Sequence, residues 1–222
     1  MEASLDTNVI IHLYRANLQH VLFNRFQKLK VYEFIRHHEM VNHAEQEIIE
    51  LFDKDVVDDR IELITDRYLK SIGMHNVFLQ HVKEHIILFG NGDLGEVYAI
   101  AMAKTLGCIC LVTDDIKERG PHYTLMRIPD SEVMPFAFFE LLLLDFLEGK
   151  MGEKELIDAF SSVCTASGFN WTVQLKLKGF IRRFWKDPYS ESEKAWMKGF
   201  CTDKKINAKA RIQQLWEYIS KH

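Results

Sequence analysis

The chain has 222 residues, 47% hydrophobic and 27% charged, enough for one sizeable core or a core plus a smaller second unit. Its net charge of −4 hides a division: residues 1–170 carry 16 Lys plus Arg against 27 Asp plus Glu, net −11, while residues 171–222 carry 12 against 5, net +7. That asymmetry predicts different partners for the two parts. No window reaches the roughly 18 uncharged apolar residues of a membrane span, and Val133–Leu147, broken by Glu140 and Asp145, reads as a core helix. The N-terminus lacks a basic segment followed by an apolar run and a cleavage site, so a cytoplasmic location is the expectation. Four scattered cysteines without paired C-x-x-C spacing argue against a zinc knuckle or a disulfide framework. His81 and His85 sit four apart on a predicted helix, but two ligands alone make no metal site.

In chain order, Ala3–His12 reads as a buried strand followed by an amphipathic helix through about Leu29. A strand over Met1–Leu5 that ends at Asp6 is equally allowed. His38–Val41 is a candidate second strand, and Asn42 a candidate cap for the helix carrying Glu45, Glu47 and Glu50. Asp58–Leu69 and Met74–Glu84 have helical apolar spacing. The turn at Asn91 and Gly92 leads to an alanine-rich helix over Asp93–Leu106, whose small residues permit close approach to a sheet, with Gly107 as its stop. Cys108–Thr113 is a short strand ending at Asp114 and Asp115, and Leu125–Ile128 a candidate further strand. Strands alternating with helices imply a parallel sheet with crossover helices. After Pro129 the pattern is wholly helical, with segments near 132–148, 153–166, 171–186, 190–200 and 204–220.

Carboxylates punctuate this pattern at telling places. In an open parallel sheet, ligands collect at the carboxyl ends of the strands near a switch in strand order. Asp6 lies at the first strand, and Asp114 and Asp115 end another. Asp93 and Glu96, three apart, share the first turn of a helix, and Glu47 on an early helix turn can point to the same place. Each acid alone is also explained as a helix cap or a favourable first-turn charge. Gathered together they repel one another unless a cation neutralises them, and a hard divalent ion is the natural one.

The blocks "LDTNVII", "EQEIIE", "GDLGEVYAIAMAKTLG" and "LVTDD", in this order over residues 3–128, resemble the PIN domain of VapC-type toxin ribonucleases and their relatives. The resemblance implies a PIN-like three-layer α/β fold, a central parallel sheet flanked by helices, over residues 1–128, with residues 129–222 an α-helical extension that is basic from about 171. It implies a ribonuclease dependent on Mg²⁺ or Mn²⁺ that hydrolyses single-stranded RNA by in-line attack of activated water. The acids it implies are Asp6, Glu47, Glu96 and Asp115, with Asp93 and Asp114 as further metal ligands. Glu96 stands where the commoner PIN pattern has aspartate and matches a subgroup with glutamate there. Asn8 would orient Asp6, and Thr113 would supply a hydroxyl contact. An antitoxin protein and a homodimer are the partners that follow.

Departing from the ordinary PIN domain, the extension carries an apolar face of Val173, Leu177, Phe180, Ile181 and Phe184, with Lys178, Arg182 and Lys186 opposite at four-residue spacing. With Arg183 these cations suit a phosphate backbone, and Trp185, Tyr189 and Trp196 suit stacking on bases. The plain alternative is a solvated helix face over an aromatic core; docking of an acidic protein is a third. For the whole chain, a PIN-fold scaffold without activity is the alternative to the nuclease. A phosphohydrolase using an aspartyl-phosphate on Asp6 is weaker, because that chemistry usually wants a second acid where this chain has Asn8.

Overall fold

The computed structural model describes residues 1–89, 94–128, 131–186 and 191–221. The chain divides into two compact units, Met1–Phe138 and Phe139–His222.

The first unit begins with β1 (Glu2–Leu5), then α1 (Thr7–Arg15), α2 (His20–Arg25) and β2 (Lys28–Tyr32). A π-helical turn (Ile35–Glu39) runs into α3 (Met40–His43), followed by α4 (Gln46–Val57), β3 (Ile61–Ile64), α5 (Asp66–Ser71), α6 (His75–Phe89) and α7 (Leu94–Thr105). The unit closes with β4 (Cys110–Val112), α8 (Pro121–Leu125) and β5 (Met134–Phe136). The five strands form one all-parallel sheet in the order β3-β2-β1-β4-β5. The parallel α/β fold expected from the sequence is therefore present, and the order reverses between β1 and β4.

Several local expectations give way. Of the two readings allowed for the first strand, the one that ends before Asp6 holds and the strand over Ala3–His12 does not: β1 stops at Leu5, and the apolar run beyond it is the buried face of α1, with Val9, Ile10, Ile11, Leu13 and Tyr14 inside. Because strand and helix are both sheltered, the hydrophobic pattern runs unbroken through their junction and periodicity alone does not find it. Asp6 marks it instead: its backbone is extended (φ −87°, ψ 157°) and its carboxylate accepts from Thr7 N at 2.7 Å. The second strand is Lys28–Tyr32, not His38–Val41, which is helical. Glu45, not Asn42, precedes α4, and Ile61–Ile64 is a strand inside the stretch read as helix. Leu125–Ile128 ends α8 in a turn, and the fifth strand is Met134–Phe136, within the segment read as wholly helical. Its Pro135 lacks an N–H, which an edge strand tolerates. The sheet thus reaches past Ile128.

α7 packs closest to the sheet. Its Ala99, Ala101 and Ala103 are fully buried, and Ser4 Oγ donates to the Ala99 carbonyl at 2.8 Å, fixing the helix to β1. Gly107 (φ +66°) turns the chain out of α7 toward β4. A cluster of Tyr32, Ile64, Leu69, Phe78, Val82, Val97, Ala101 and Met102 fills the space on one side of the sheet, with Phe34 and Tyr98 half-buried against it.

The second unit is helical: α9 (Phe138–Leu147, its first residue belonging to the first unit), α10 (Glu153–Ser167), α11 (Val173–Ile181), a π-helical turn (Arg182–Lys186), α12 (Glu191–Asp203) and α13 (Ala208–Lys221). Gly168 (φ +69°) ends α10 in the left-handed conformation. Buried Leu141, Leu142, Leu143, Leu144 and Phe146 make α9 apolar nearly all round, each such side chain contributing about 1.5–3 kcal/mol by burial. At the centre, Arg183 is 3% exposed between two buried carboxylates, donating from Nη1 to Glu140 at 2.9 Å and from Nε to Glu193 at 3.0 Å. No helix among the described residues is long and apolar enough to cross a membrane.

Candidate active site

In the first unit, the carboxyl ends of β1 and β4 lie side by side at the reversal of strand order, the crevice where open α/β sheets bind ligands. Leu5 pairs with Val112, so Asp6 and Thr113 are the first residues past the paired strands. Asp6 N donates to the Val112 carbonyl at 3.0 Å, and the Thr113 hydroxyl donates to Asp6 Oδ2 at 2.9 Å. Asp6 is 2% exposed, its carboxylate fixed by one amide and one hydroxyl. Thr113, expected as a hydroxyl contact, is bonded to Asp6 itself, and Asn8, expected to orient Asp6, is exposed.

Glu96 reaches the same edge from above. α7 leads into a strand parallel to β1, so it runs back across the sheet with its first turn over the strands' carboxyl ends. Glu96, 3% exposed, lies one turn before the Ala99 carbonyl that Ser4 holds. Its neighbour Gly95 sits so close to α1 that a Cβ there would be 3.4 Å from Thr7 Oγ1. The same Cβ would be 3.1 Å from Cγ and 3.2 Å from Cδ of Glu39. Gly95, next to Glu96, thus lies between Glu39 and the Thr7 hydroxyl, which follows Asp6 in the chain, is buried and has no hydrogen-bond partner among the described residues.

Glu39 is a residue that the sequence reading missed. It closes the π-helical turn that follows β2, seven residues past Tyr32, and its signal would have been a strand at Lys28–Tyr32, which makes it an acid at the end of the helical turn that follows a strand. Glu47, the expected acid, is exposed and lines a groove with Arg15, Asn17 and Glu45. Arg15 ends α1, whose nine residues span roughly 13 Å from the Asp6 end. Glu47 is thus carried to the far end of that helix.

The two aspartates after β4 are turned to other partners. Asp114, 5% exposed, meets His12 Nδ1 with Oδ2 at 2.9 Å and accepts from Phe138 N with Oδ1 at 2.8 Å. It ties the end of β4 to α1 and to Phe138, the last residue of the first unit. Asp115 Oδ2 meets Lys117 Nζ at 2.5 Å, and its loop closes so tightly that a Cβ on Gly120 would fall 2.5 Å from Asp115 Oδ1. Asp93, the Asn91–Gly92 turn and Tyr189 lie outside the described residues.

Among the described residues, no group of three or more His, Cys, Asp or Glu side chains is placed to hold a metal ion. Magnesium, however, is commonly held by one or two carboxylates, with waters and substrate phosphates completing its shell. Asp6 and Glu96 are a donor set of that kind, hard oxygen ligands at one edge beside an orphaned hydroxyl.

In the second unit, Lys178, Arg182 and Lys186 are exposed at four-residue intervals, while Leu177, Phe180 and Phe184 are buried as the spacing predicts. Arg183 is not on that face: its two buried ion pairs remove it from any contact with nucleic acid. Trp185 is 40% exposed, and Trp196 stacks on Phe200 at 5.3 Å. Cys108, Cys110 and Cys164 are buried thiols, and Cys201 is partly covered.

Fold and site together define a doubly wound α/β unit with the buried Asp6 at its topological switch point and the buried Glu96 in the first turn of the helix above it. Compared with protein-family models, with curated proteins and with solved structures, the chain returns no match in any of the three.

Proposed function

We propose that the chain is a PIN-type endoribonuclease that uses Mg²⁺ or Mn²⁺ to hydrolyse phosphodiester bonds of single-stranded RNA. One observation carries this reading: Asp6 and Glu96, both almost wholly withdrawn from solvent, stand respectively at the end of β1, where the strand order reverses, and in the first turn of the helix packed on that strand. Two anions so placed favour a cation between them. Asp6 and Glu96 would hold the ion, with Glu39 beside them. When bound, such an ion supplies Lewis-acid polarisation of a phosphodiester and activation of water. The protein's own part is to keep the donors still. The Thr7 amide and the Thr113 hydroxyl fix the Asp6 carboxylate, and the Ser4–Ala99 hydrogen bond fixes the turn that carries Glu96. In the second unit, the exposed Lys178, Arg182 and Lys186 are suited to a phosphate backbone. A toxin's role would add an antitoxin protein as partner.

A second reading, a PIN-fold scaffold that binds nucleic acid or a protein without cleaving, is favoured by the engagement of Asp114 with His12 and of Asp115 with Lys117. Purified protein incubated with single-stranded RNA and Mn²⁺, with and without EDTA, separates the two. The nuclease cleaves only with the metal; the scaffold cleaves under neither condition.

A further inference from the structure

Beside the acids, the first unit carries a ladder of aromatic rings that leads from the core to the surface. Tyr32, at the end of β2, packs on Tyr98 of α7 with ring centroids 5.1 Å apart. Tyr98 meets Phe34 at 4.7 Å, and Phe34 stacks on His38 at 4.6 Å with 25° between the planes. Tyr32 is buried, Phe34 and Tyr98 are half-buried and His38 is exposed, so the ladder ends at an exposed residue.

Its placement follows from two helices. On α7, Gly95 and Tyr98 are about one turn apart and share one face. Phe34, just before the π-helical turn, packs on Tyr98, while Glu39 at its end lies against Gly95. The ring stack and the acidic pocket are thus adjacent levels of one helix–helix contact, and His38 directly precedes Glu39 in the chain. π-helical turns often occur at functional sites, and this one delivers a ring to one level and a carboxylate to the other. The same segment also exposes His37 and His43, whose ring nitrogens can donate to phosphate oxygens.

Building on the nuclease reading, we propose that Phe34, His38 and Tyr98 form a base-stacking subsite, which seats the nucleobase next to the phosphodiester that the acids address. Stacking on an aromatic face is tolerant of base identity and needs an unpaired base. The subsite therefore favours single strands over duplex without selecting a sequence.

The test uses the full chain in EDTA, so that no cleavage occurs, and a short single-stranded RNA carrying 2-aminopurine, whose fluorescence falls on stacking. Wild-type protein is expected to quench the probe, and His38→Ala to bind it roughly tenfold more weakly. His38→Phe is expected to restore binding, which a role for the imidazole nitrogens would not allow. An abasic oligonucleotide of the same length should bind the wild type and His38→Ala alike. If the wild type binds RNA but His38→Ala binds and quenches equally well, the subsite is overturned while the nuclease reading stands. If quenching and its loss occur as expected but Mn²⁺ brings no cleavage, the subsite stands and the nuclease reading falls. If the wild type neither binds nor cleaves RNA, both fall.

Discussion

Glu39 lies across the α-carbon of Gly95, where a methyl group would approach its Cγ to 3.1 Å and its Cδ to 3.2 Å. The glycine thus sets how near this side chain comes to the first turn of α7, which also carries Glu96. For Gly95→Ala, the helix gains about 1 kcal/mol in propensity, and Glu39 must yield by a few tenths of an ångström. Urea denaturation should find stability within about 1 kcal/mol of wild type, while Mn²⁺-dependent cleavage falls at least severalfold. Unchanged cleavage would remove Glu39 from the pocket.

Asp6→Asn keeps the shape of the side chain and removes a charge from a crowded anionic pocket. Cleavage should fall by roughly 10²–10³ or more, with the melting temperature equal or higher because repulsion is relieved. Calorimetric titration with Mn²⁺ should show weaker uptake in the same variant. A variant that cleaves normally would disprove the assignment of Asp6.

Arg183 and the exposed cations of its segment should separate cleanly. Arg183→Met takes the shared cation from buried Glu140 and Glu193 and should destabilise the second unit by about 3–5 kcal/mol, read by urea denaturation. Replacing Lys178, Arg182 and Lys186 together by Ala should leave stability nearly unchanged. That triple variant should reduce the slope of log K against log salt for RNA binding by about 2, at roughly 0.7 per phosphate contact.

His85, 3% exposed on α6, has its pKa pushed down to about 4, mainly by burial and then by Lys104 and His81. The unfolded chain takes up this proton near pH 6.5, while the folded chain holds it off until about 4. Stability should therefore fall as pH drops from 6.5 to 4, by about 3 kcal/mol from this group, with no further loss below that. His85→Gln should flatten that limb in denaturation curves measured at several pH values. An unaltered limb would show that His85 titrates normally in the folded protein.

What the sequence disclosed and what it hid divide along physical lines. α7 and β4 were legible because alanines, a stop glycine and a short apolar run lie in succession, and from them came Glu96 and the aspartates after β4. The β1–α1 boundary stayed open between two readings, because burial on both sides erased the change of period. β2 was concealed by Lys28 and Lys30, the latter buried with its ammonium 2.6 Å from Glu2. Missing β2 meant missing Glu39. For Arg183, four-residue spacing defined the stripe around it, but only the tertiary partners Glu140 and Glu193 reveal that this arginine turns inward.

The wide turn over Ile35–Glu39 holds one residue more than a regular helix would. Deleting a single amino acid before Ile35 would leave the coil intact but rotate everything after it by about 100°. The imidazole and the carboxylate at its end would then swing off their seats together. A frame-preserving deletion of three bases could thus disable both at once while sparing every side chain that they touch.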